Sequence, residues 1–382
     1  MGEKMKKRFL FCIVSMLFLI VTGLQPVLAA SNSALEERIE ALEKKSSSGS
    51  SALGQISDRI NLSGTIELDY SYTSDSDLSD NTNNQSSSDL DIGTVELGLE
   101  AVLHEYVTAN LLLKGEDLDS DNKIFWDEVF FTIQKQGFPV YFMGGKRGQP
   151  FGMFENLFIS DPITYDLYEV VKTGATLGAT FEPFEIDISA TLYKGEILID
   201  KVSGAGYGFS RNNAPGYSAK DDVNSFILNM TFSPVENLIL SAYFDSEPGD
   251  GDRNTTAGVS VHYEISDFIL DGEYIGAINR EKHFTDNQEY NESAWFVSLG
   301  CKITDPLLAA VRYENFDDGQ SGDQDGHLDY RYSIGLTYTL FESDNFACSL
   351  SGEYRKGEYE LSNGSSADDG MNEFFTRIAI EF

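Results

Sequence analysis

From residue 60 onward, apolar and polar residues alternate along the chain with a period of two. In INLSGTIELDYSY (60–72), one face collects Ile, Leu and Tyr, while the other collects Asn, Ser, Thr and acidic residues. Alternation over about twelve residues exceeds the usual five or six of a globular strand. The pattern recurs and predicts sixteen strands, near 60–72, 90–103, 106–116, 124–134, 139–148, 172–181, 185–196, 223–232, 238–246, 255–264, 267–277, 293–303, 307–316, 329–340, 346–358 and 371–382.

The predicted connections alternate between short turns, such as HE and EPF, and long segments rich in Asp, Asn, Ser and Gly. This alternation is typical of an up-and-down barrel that crosses a membrane. An open sheet edge cannot face lipid, so the sheet must close. The final strand, FFTRIAIEF, ends in Phe382 and resembles the assembly signal of outer-membrane proteins. We therefore predict an all-β, 16-stranded antiparallel transmembrane β-barrel over 60–382, located in the bacterial outer membrane.

The residues before the barrel show three different compositions. Residues 1–30 carry a basic start, an apolar run and small residues near Ala29, which predicts a secretory signal peptide. Residues 31–45 place Leu35, Ile39 and Leu42 at coiled-coil spacing, which predicts a short amphipathic helix in the periplasm or a frayed helical tail. Residues 46–59 begin with a Ser/Gly-rich stretch and are predicted to be a linker.

Composition and motifs exclude several function classes. The net charge of −35 argues against nucleic-acid binding. The sequence contains no nucleophile elbow, phosphate loop or paired metal motif, so we expect neither an enzyme nor a cofactor. Cys301 and Cys348 remain after the signal segment, and the sequence leaves open whether they pair.

One acidic loop approaches the pattern of a calcium site. Asp117, Asp119 and Asp121 stand at the first three ligand positions of an EF-hand loop, but Asn122 replaces the required Gly. Flanking helices are also absent from the pattern. We therefore expect no EF-hand and, at most, loosely bound Ca²⁺ at acidic loops.

Alternation also assigns side chains to the lumen. A lumen with so many charges must contain water, and sixteen strands are too many for side chains alone to fill. The sequence thus predicts a water-filled channel for small solutes. Its selectivity stays open, because net acidity favours cations, whereas an arginine sector facing acidic strands would create a field across the pore. The predicted lumen-lining charges are Glu96, Glu100, Glu128, Lys146, Arg312, Arg331, Arg355 and Arg377, with Arg147 outward.

The third long connection, 149–171, is unusually apolar for a loop. In open water this loop would expose the apolar rings of Phe151, Phe154 and Phe158, which is unfavourable. We therefore expect the loop to fold into the lumen and narrow it. Pro150 and Gly152 would give the sharp turn at its start. The predicted constriction residues are Pro150, Phe151, Phe154, Glu155, Asp161 and Asp166.

WDEVFFTI (126–133) and VYFMGGKRGQPFGMFENLFISDPITYDLYE (140–169) resemble the LbtU-like siderophore porin family. The resemblance implies an outer-membrane porin for passive, TonB-independent transport, with a ferric siderophore as the solute. Trimers are common for sixteen-stranded porins, which makes a homotrimer in outer-membrane lipid and lipopolysaccharide an expectation. The alternative is a structural or adhesive barrel that acts through its acidic surface loops.

Overall fold

Antiparallel strands close into a single barrel in a computed structural model of the chain. The structure describes residues 59–74, 86–116, 118, 123–182, 185–320, 327–360 and 370–382. Each strand pairs with its neighbours in sequence, and β1 (Ile60–Thr73) pairs with β16 (Gly370–Glu381). This last pairing removes both edges of the sheet, which confirms the predicted fold.

All sixteen predicted strands are present among the described residues, and every end lies within three residues of its predicted position. The remaining strands are β2 (Ser87–His104), β3 (Val107–Glu116), β4 (Lys123–Gln134), β5 (Val140–Gly148), β6 (Val171–Phe181), β7 (Ile186–Tyr193), β8 (Ser225–Val235), β9 (Leu238–Pro248), β10 (Arg253–Ile265), β11 (Phe268–Asn279), β12 (Ser293–Thr304), β13 (Leu307–Asp317), β14 (His327–Ser343) and β15 (Phe346–Glu360).

The two faces of the barrel wall are chemically opposite. On β10, Val259 is 56% exposed and the adjacent Ser260 is 7% exposed. On β13, Val311 is 50% exposed and the adjacent Arg312 is 2% exposed. Apolar side chains therefore cover the outside and polar side chains the inside, which is the arrangement of a barrel surrounded by lipid.

Two of the long connections fold back into the barrel and contain short helices. Loop 3 (residues 149–170) carries α1 (Ile163–Tyr168), and loop 4 (residues 194–224) carries α2 (Ile197–Gly204). The helix α1 packs against α2 and against β11, β12 and β13, while α2 packs against β9. Most of their apolar side chains, with Phe151 and Tyr193, form a buried core inside this half of the barrel. Neither helix has the length and apolar character needed to cross a bilayer.

The two cysteines are separate in the fold. Cys301 lies on β12 and Cys348 on β15, and both are free thiols. The signal segment, the helix expected at 31–45 and the linker up to residue 58 lie outside the described residues. Those three assignments stay predictions.

Candidate functional site: the channel constriction

The two ends of loop 3 are hydrogen-bonded to each other where the loop leaves the barrel wall. The backbone N–H of Gln149 donates to the carbonyl oxygen of Val170 at 2.8 Å, so the two ends of the loop meet. The Gln149 side chain then donates from Nε2 to the carbonyl oxygen of Lys172 at 2.5 Å. Gly152 has φ +92°, and a Cβ there would lie 2.0 Å from the Phe154 ring. Only glycine fits this turn, which directs the chain into the lumen.

A buried carboxylate on β11 holds the first part of loop 3. Glu273 accepts hydrogen bonds from the Met153 N–H at 2.7 Å, from the Thr164 hydroxyl at 2.5 Å and from the Tyr243 hydroxyl. Beside it, the Phe151 ring meets the Tyr243 ring edge-on, with centres 5.2 Å apart. Because every partner of Glu273 is a donor, its charge fixes the loop across the lumen.

A buried arginine on β13 holds the middle of the loop. The Arg312 guanidinium donates to Asn156 Oδ1 at 2.9 Å and to the Ser160 hydroxyl at 2.8 Å, and it lies over the Phe158 ring. The Ser160 hydroxyl also donates to Glu353 Oε1 at 2.6 Å. The planar fork of Arg312 thus determines the path of residues 156–160.

A second buried arginine holds the start of α1. Arg331 donates from Nε to Glu314 Oε2 at 2.6 Å and from Nη2 to Asp166 Oδ2 at 3.1 Å. Glu314 in turn accepts the backbone N–H of Ile163 at 2.6 Å, and Asp166 accepts the Tyr207 hydroxyl at 2.8 Å. Loop 3, loop 4 and the wall therefore share one network of charge-assisted hydrogen bonds.

Loop 4 is a second inward segment that our sequence reasoning missed. The Glu247 carboxylate on β9 accepts the backbone N–H groups of Ile197, Leu198 and Ile199 at 2.7, 2.8 and 3.0 Å. This arrangement satisfies the free donors at the start of α2. The apolar cluster in EILIDKV (196–202) was the available signal, because such residues need cover just as those of loop 3 do.

An open cavity of about 690 Å³ remains on the other side of loop 3. Met153, Phe154, Ile159, Asp161 and Tyr165 line it from the loop. Strands β1, β2, β3 and β16 line it from the wall, through Thr65, Glu67, Thr94, Glu96, Lys114, Glu116, Arg377 and Glu381. We call this space the constriction cavity, since loop 3 narrows the lumen here.

Acidic side chains outnumber basic ones around the constriction cavity. Its described lining contains five carboxylates and two cations. Lys114 lies 2.9 Å from Glu116 and 3.6 Å from Glu96, whereas Arg377 donates to Glu67 at 3.0 Å and to Asp69 at 2.7 Å. Both cations are therefore engaged by carboxylates, and the cavity keeps a negative surplus.

The negative character continues beyond the constriction cavity. A smaller cavity of about 260 Å³ shares Ile159 and Arg377 with it and adds Asp69, Asp89 and Asp91. In loop 3, desolvation raises the pKa of Asp161, and the nearby Asp166 carboxylate raises it further. Asp161 therefore gains a proton at a higher pH than an ordinary Asp does.

The structure separates the predicted lumen charges, Lys146 apart, into three groups. Glu96 and Arg377 line the constriction cavity. Arg312 and Arg331 also point inward, but they are only 2% and 4% exposed because loop 3 covers them. The other three lie elsewhere on the wall: Arg355 is paired with Glu373 at 2.6 Å, Glu128 lies near Arg147, and Glu100 is exposed opposite Asn110.

The structure differs from the prediction at Lys146 and Arg147. Lys146 pairs with Val129 and Thr173, both exposed on the outer face, so it points outward. Arg147 points inward, where its guanidinium lies 5.3 Å from the Phe130 ring. Strand β5 carries apolar residues on both faces, in Val140 to Met143, so the alternation did not determine which of its side chains point inward.

The predicted constriction residues also divide. Phe154 and Asp161 line the constriction cavity. Phe151 is buried in the core, Asp166 is bound to Arg331, and Pro150 lies at the base of the loop. Glu155 is exposed next to Phe154 but is not part of the cavity lining.

Among the described residues, no group of three or more His, Cys, Asp or Glu side chains is placed to hold a metal ion. The calcium candidates Asp117, Asp119 and Asp121 lie outside the described residues. Loosely bound Ca²⁺ at those loops stays a prediction.

The sequence that forms this barrel matches a known family. The sequence profile described as Gram-negative porin matches residues 46–358. The chain belongs to this family. The protein is thus an outer-membrane channel through which solutes diffuse, and its place is the bacterial outer membrane. No curated protein sequence matches this porin.

Solved structures share the fold of the porin at low sequence identity. The outer-membrane channel DcaP of Acinetobacter baumannii is 15% identical with a TM-score of 0.57, over 84% of this chain and 96% of that one. An anion-selective porin from Comamonas acidovorans is 11% identical with a TM-score of 0.58, over 85% and 99%. OmpT of Vibrio cholerae in its trimer form is 13% identical with a TM-score of 0.54, over 85% and 99%.

Proposed function

We propose that this porin is a passive, TonB-independent channel that prefers small cations, with loop 3 setting its width. The observation that carries the proposal is the constriction cavity, where five carboxylates and two cations face the open space. A surplus of fixed negative charge lowers the energy of a permeating cation and raises that of an anion. Diffusion through a fixed opening needs no energy-coupling partner.

The geometry favours this proposal over a field across the pore. An arginine sector would need its guanidinium groups in the open lumen. Arg312 and Arg331 are instead buried under loop 3, and Arg377 is paired with Glu67 and Asp69. Few unpaired cations therefore face the described part of the channel.

The test is the reversal potential of the mature porin in a planar bilayer with a salt gradient. We expect the reversal potential to have the sign of a cation-selective channel. The double variant Glu96→Gln, Glu116→Gln should reduce it, whereas Glu100→Gln, outside the cavity lining, should reduce it less. Anion preference would contradict the proposed selectivity, and absence of any conductance would favour the structural or adhesive alternative.

A ferric siderophore is the finer proposal for the solute. Its support is the resemblance of residues 126–133 and 140–169 to siderophore porins, together with a cavity of about 690 Å³. Volumes of this order suit drug-sized organic molecules. Uptake in a porin-deficient cell tests it by comparing a ferric siderophore with sugars and amino acids. Equal uptake of all three solutes would contradict siderophore selectivity.

We also propose a homotrimer in the membrane. OmpT, a structural relative, is described in a trimer form. The outer wall of the porin carries an apolar trough across β6 to β9, lined by Leu177, Ala179, Ile188 and Leu228, which a neighbouring copy would cover. Mass determination in detergent tests this, and a monomer would contradict it. Contact of the acidic loops with lipopolysaccharide stays a prediction.

A further inference from the structure

Two chemically different walls face each other across the constriction cavity. Loop 3 presents Met153, Phe154 and Ile159, which are apolar, whereas β1, β2 and β3 present Glu67, Glu96 and Glu116. We propose that this cavity binds organic cations that carry an aromatic or branched apolar group, and that such cations occupy the channel more strongly than simple ammonium ions. The proposal rests on the proposed cation preference and is independent of the siderophore as a solute.

The apolar wall is held in a costly conformation. Phe154 has φ +53°, which is rare for a bulky residue. Its ring fills the space left by the missing side chain of Gly152 and meets the Tyr165 ring edge-on, with centres 5.5 Å apart. Glu273 holds the neighbouring Met153 N–H at 2.7 Å. The surrounding contacts thus enforce a strained residue whose ring borders the channel, and such strain is concentrated at functional sites.

Aromatic and aliphatic contact comes chiefly from Phe154 and Ile159. One face of Tyr165 is already covered by Lys201, whose Nζ lies 4.8 Å from the ring centre. The Phe154 ring and the Ile159 side chain are both half-buried and both line the cavity. An apolar group resting on them would leave water, while its charged end would still reach the acidic wall.

Among the three carboxylates on β1, β2 and β3, Glu96 is the one least engaged by a cation, since Arg377 already holds Glu67 at 3.0 Å. The distance from Glu96 to Lys114 is 3.6 Å, whereas Glu116 holds the same Nζ at 2.9 Å. Lys114 therefore binds Glu116 more closely and leaves Glu96 with more capacity for a solute. A simple cation gains only the charge attraction, and a neutral aromatic molecule gains only the apolar contact, so a solute with both features gains most.

The experiment measures block of the ionic current through the mature porin by 2-phenylethylammonium. Ethylammonium serves as the charge-matched probe and 2-phenylethanol as the ring-matched probe. We expect 2-phenylethylammonium to block at a concentration about tenfold lower than ethylammonium, because one ring contact of about 1.4 kcal/mol gives that factor. We expect 2-phenylethanol to block little.

Variants locate the effect. Phe154→Asn removes the ring with a residue that tolerates positive φ, and it should abolish the difference between the two amines. Phe154→Tyr should retain the difference. Glu96→Gln should weaken block by 2-phenylethylammonium, while Glu100→Gln on the same strand should leave it unchanged.

The outcomes distinguish failure of solute binding at this cavity from failure of the proposed function. A cation-selective current with equal block by both amines would overturn the inference and leave the proposed function standing. An anion-selective current would refute the proposed function itself. An amine difference that survives Phe154→Asn would place the binding elsewhere and would also overturn the inference.

Discussion

The guanidinium carbon of Arg312, on the barrel wall, lies 4.6 Å from the centre of the Phe158 ring, in the loop that crosses the lumen. The same guanidinium donates to Asn156 Oδ1 and to the Ser160 hydroxyl. A loop held at three residues by one buried cation is part of the wall. The constriction is therefore a fixed feature of the channel, with the loop acting as a rigid partition.

Replacing Arg312 by Lys should loosen this partition. Lys keeps the charge but loses the planar fork that reaches Asn156 and Ser160 together. We expect a loss of about 2 kcal/mol in the free energy of unfolding, the scale of one or two hydrogen bonds to a charged group. Urea unfolding and single-channel recording measure the stability and the current noise. The matched control is Arg355→Lys, whose ion pair with Glu373 does not involve loop 3. An equally noisy current in that variant would contradict the conclusion that Arg312 holds loop 3.

Replacing Glu273 by Gln should shift the channel-facing residues of loop 3. The Met153 N–H and the Thr164 and Tyr243 hydroxyls all donate to the Glu273 carboxylate, so Gln removes the negative charge that strengthens these hydrogen bonds. We expect destabilisation by about 1.5–3 kcal/mol, the scale of a hydrogen bond to a charged group, and a changed single-channel conductance. Glu264→Gln is the control, because Glu264 is partly exposed and makes only longer ion pairs, at 3.6 and 3.7 Å. Unchanged conductance in Glu273→Gln would show that Met153 is positioned by other contacts.

Cation preference should weaken as the pH falls, and Asp161 should contribute early. Its pKa is raised by desolvation and by Asp166, so it is neutralised at a higher pH than an ordinary Asp. The constriction cavity then loses one negative charge. Reversal potentials recorded from neutral to acidic pH should decline, and Asp161→Asn should start lower and decline less. Asp161→Glu, which keeps the charge, should follow the wild type, and identical pH curves for all three proteins would refute the role of Asp161.

Arg211 forms a clamp between loop 4 and the segment after β11, and its ion pairs should break only at acid pH. Arg211 donates from Nε to Glu281 at 2.8 Å and from Nη1 to Asp200 at 2.5 Å. Burial opposes ionisation of Glu281, but Arg211 and the Asp250 N–H outweigh it and lower its pKa. A depressed pKa means that the stabilisation is complete above the ordinary Glu pKa and is lost as the pH falls through the folded value.

Hydrogen exchange of the Asp250 N–H, which donates to Glu281 at 2.7 Å, measures this clamp. After correction for intrinsic exchange rates, protection should be constant from neutral pH to about 5. It should decrease at pH values below about 4.3, the ordinary pKa of Glu. Arg211→Gln should lower protection at neutral pH and flatten the acid step. A step that persists in Arg211→Gln would assign it to other carboxylates.

The sequence predicted the barrel because one physical constraint acts on every strand. Lipid outside and water inside impose opposite polarities on adjacent residues, as Val311 and Arg312 show. The same reasoning predicted that loop 3 turns inward, since Phe151 needs cover, and it is 0% exposed. Loop 4 was missed although Leu198 and Ile199 carry the same signal, because its short apolar cluster lies among many polar residues.

The details of the site depended on contacts between residues distant in sequence. Arg312 and Arg331 point inward but lie buried under loop 3, and alternation cannot tell which inward cations a loop will cover. Alternation also cannot assign side chains to the inner or outer face of a strand when both faces are apolar. In β5, Tyr141 and Met143 compete with Val140 and Phe142, and the structure turns Tyr141 inward, where its hydroxyl donates to Asp187 at 2.9 Å.

The opposite orientations of Lys146 and Arg147 can be tested by thiol labelling. In a background with Cys301 and Cys348 replaced by Ser, Arg147→Cys should react with a charged, membrane-impermeant thiol reagent, and the reaction should reduce single-channel current. Lys146→Cys, on the outer face beside Val129 and Thr173, should leave the current unchanged after the same treatment. Phe154→Cys, at the constriction cavity, is the positive control. Current loss in Lys146→Cys with none in Arg147→Cys would reverse the register of β5 and return Lys146 to the lumen.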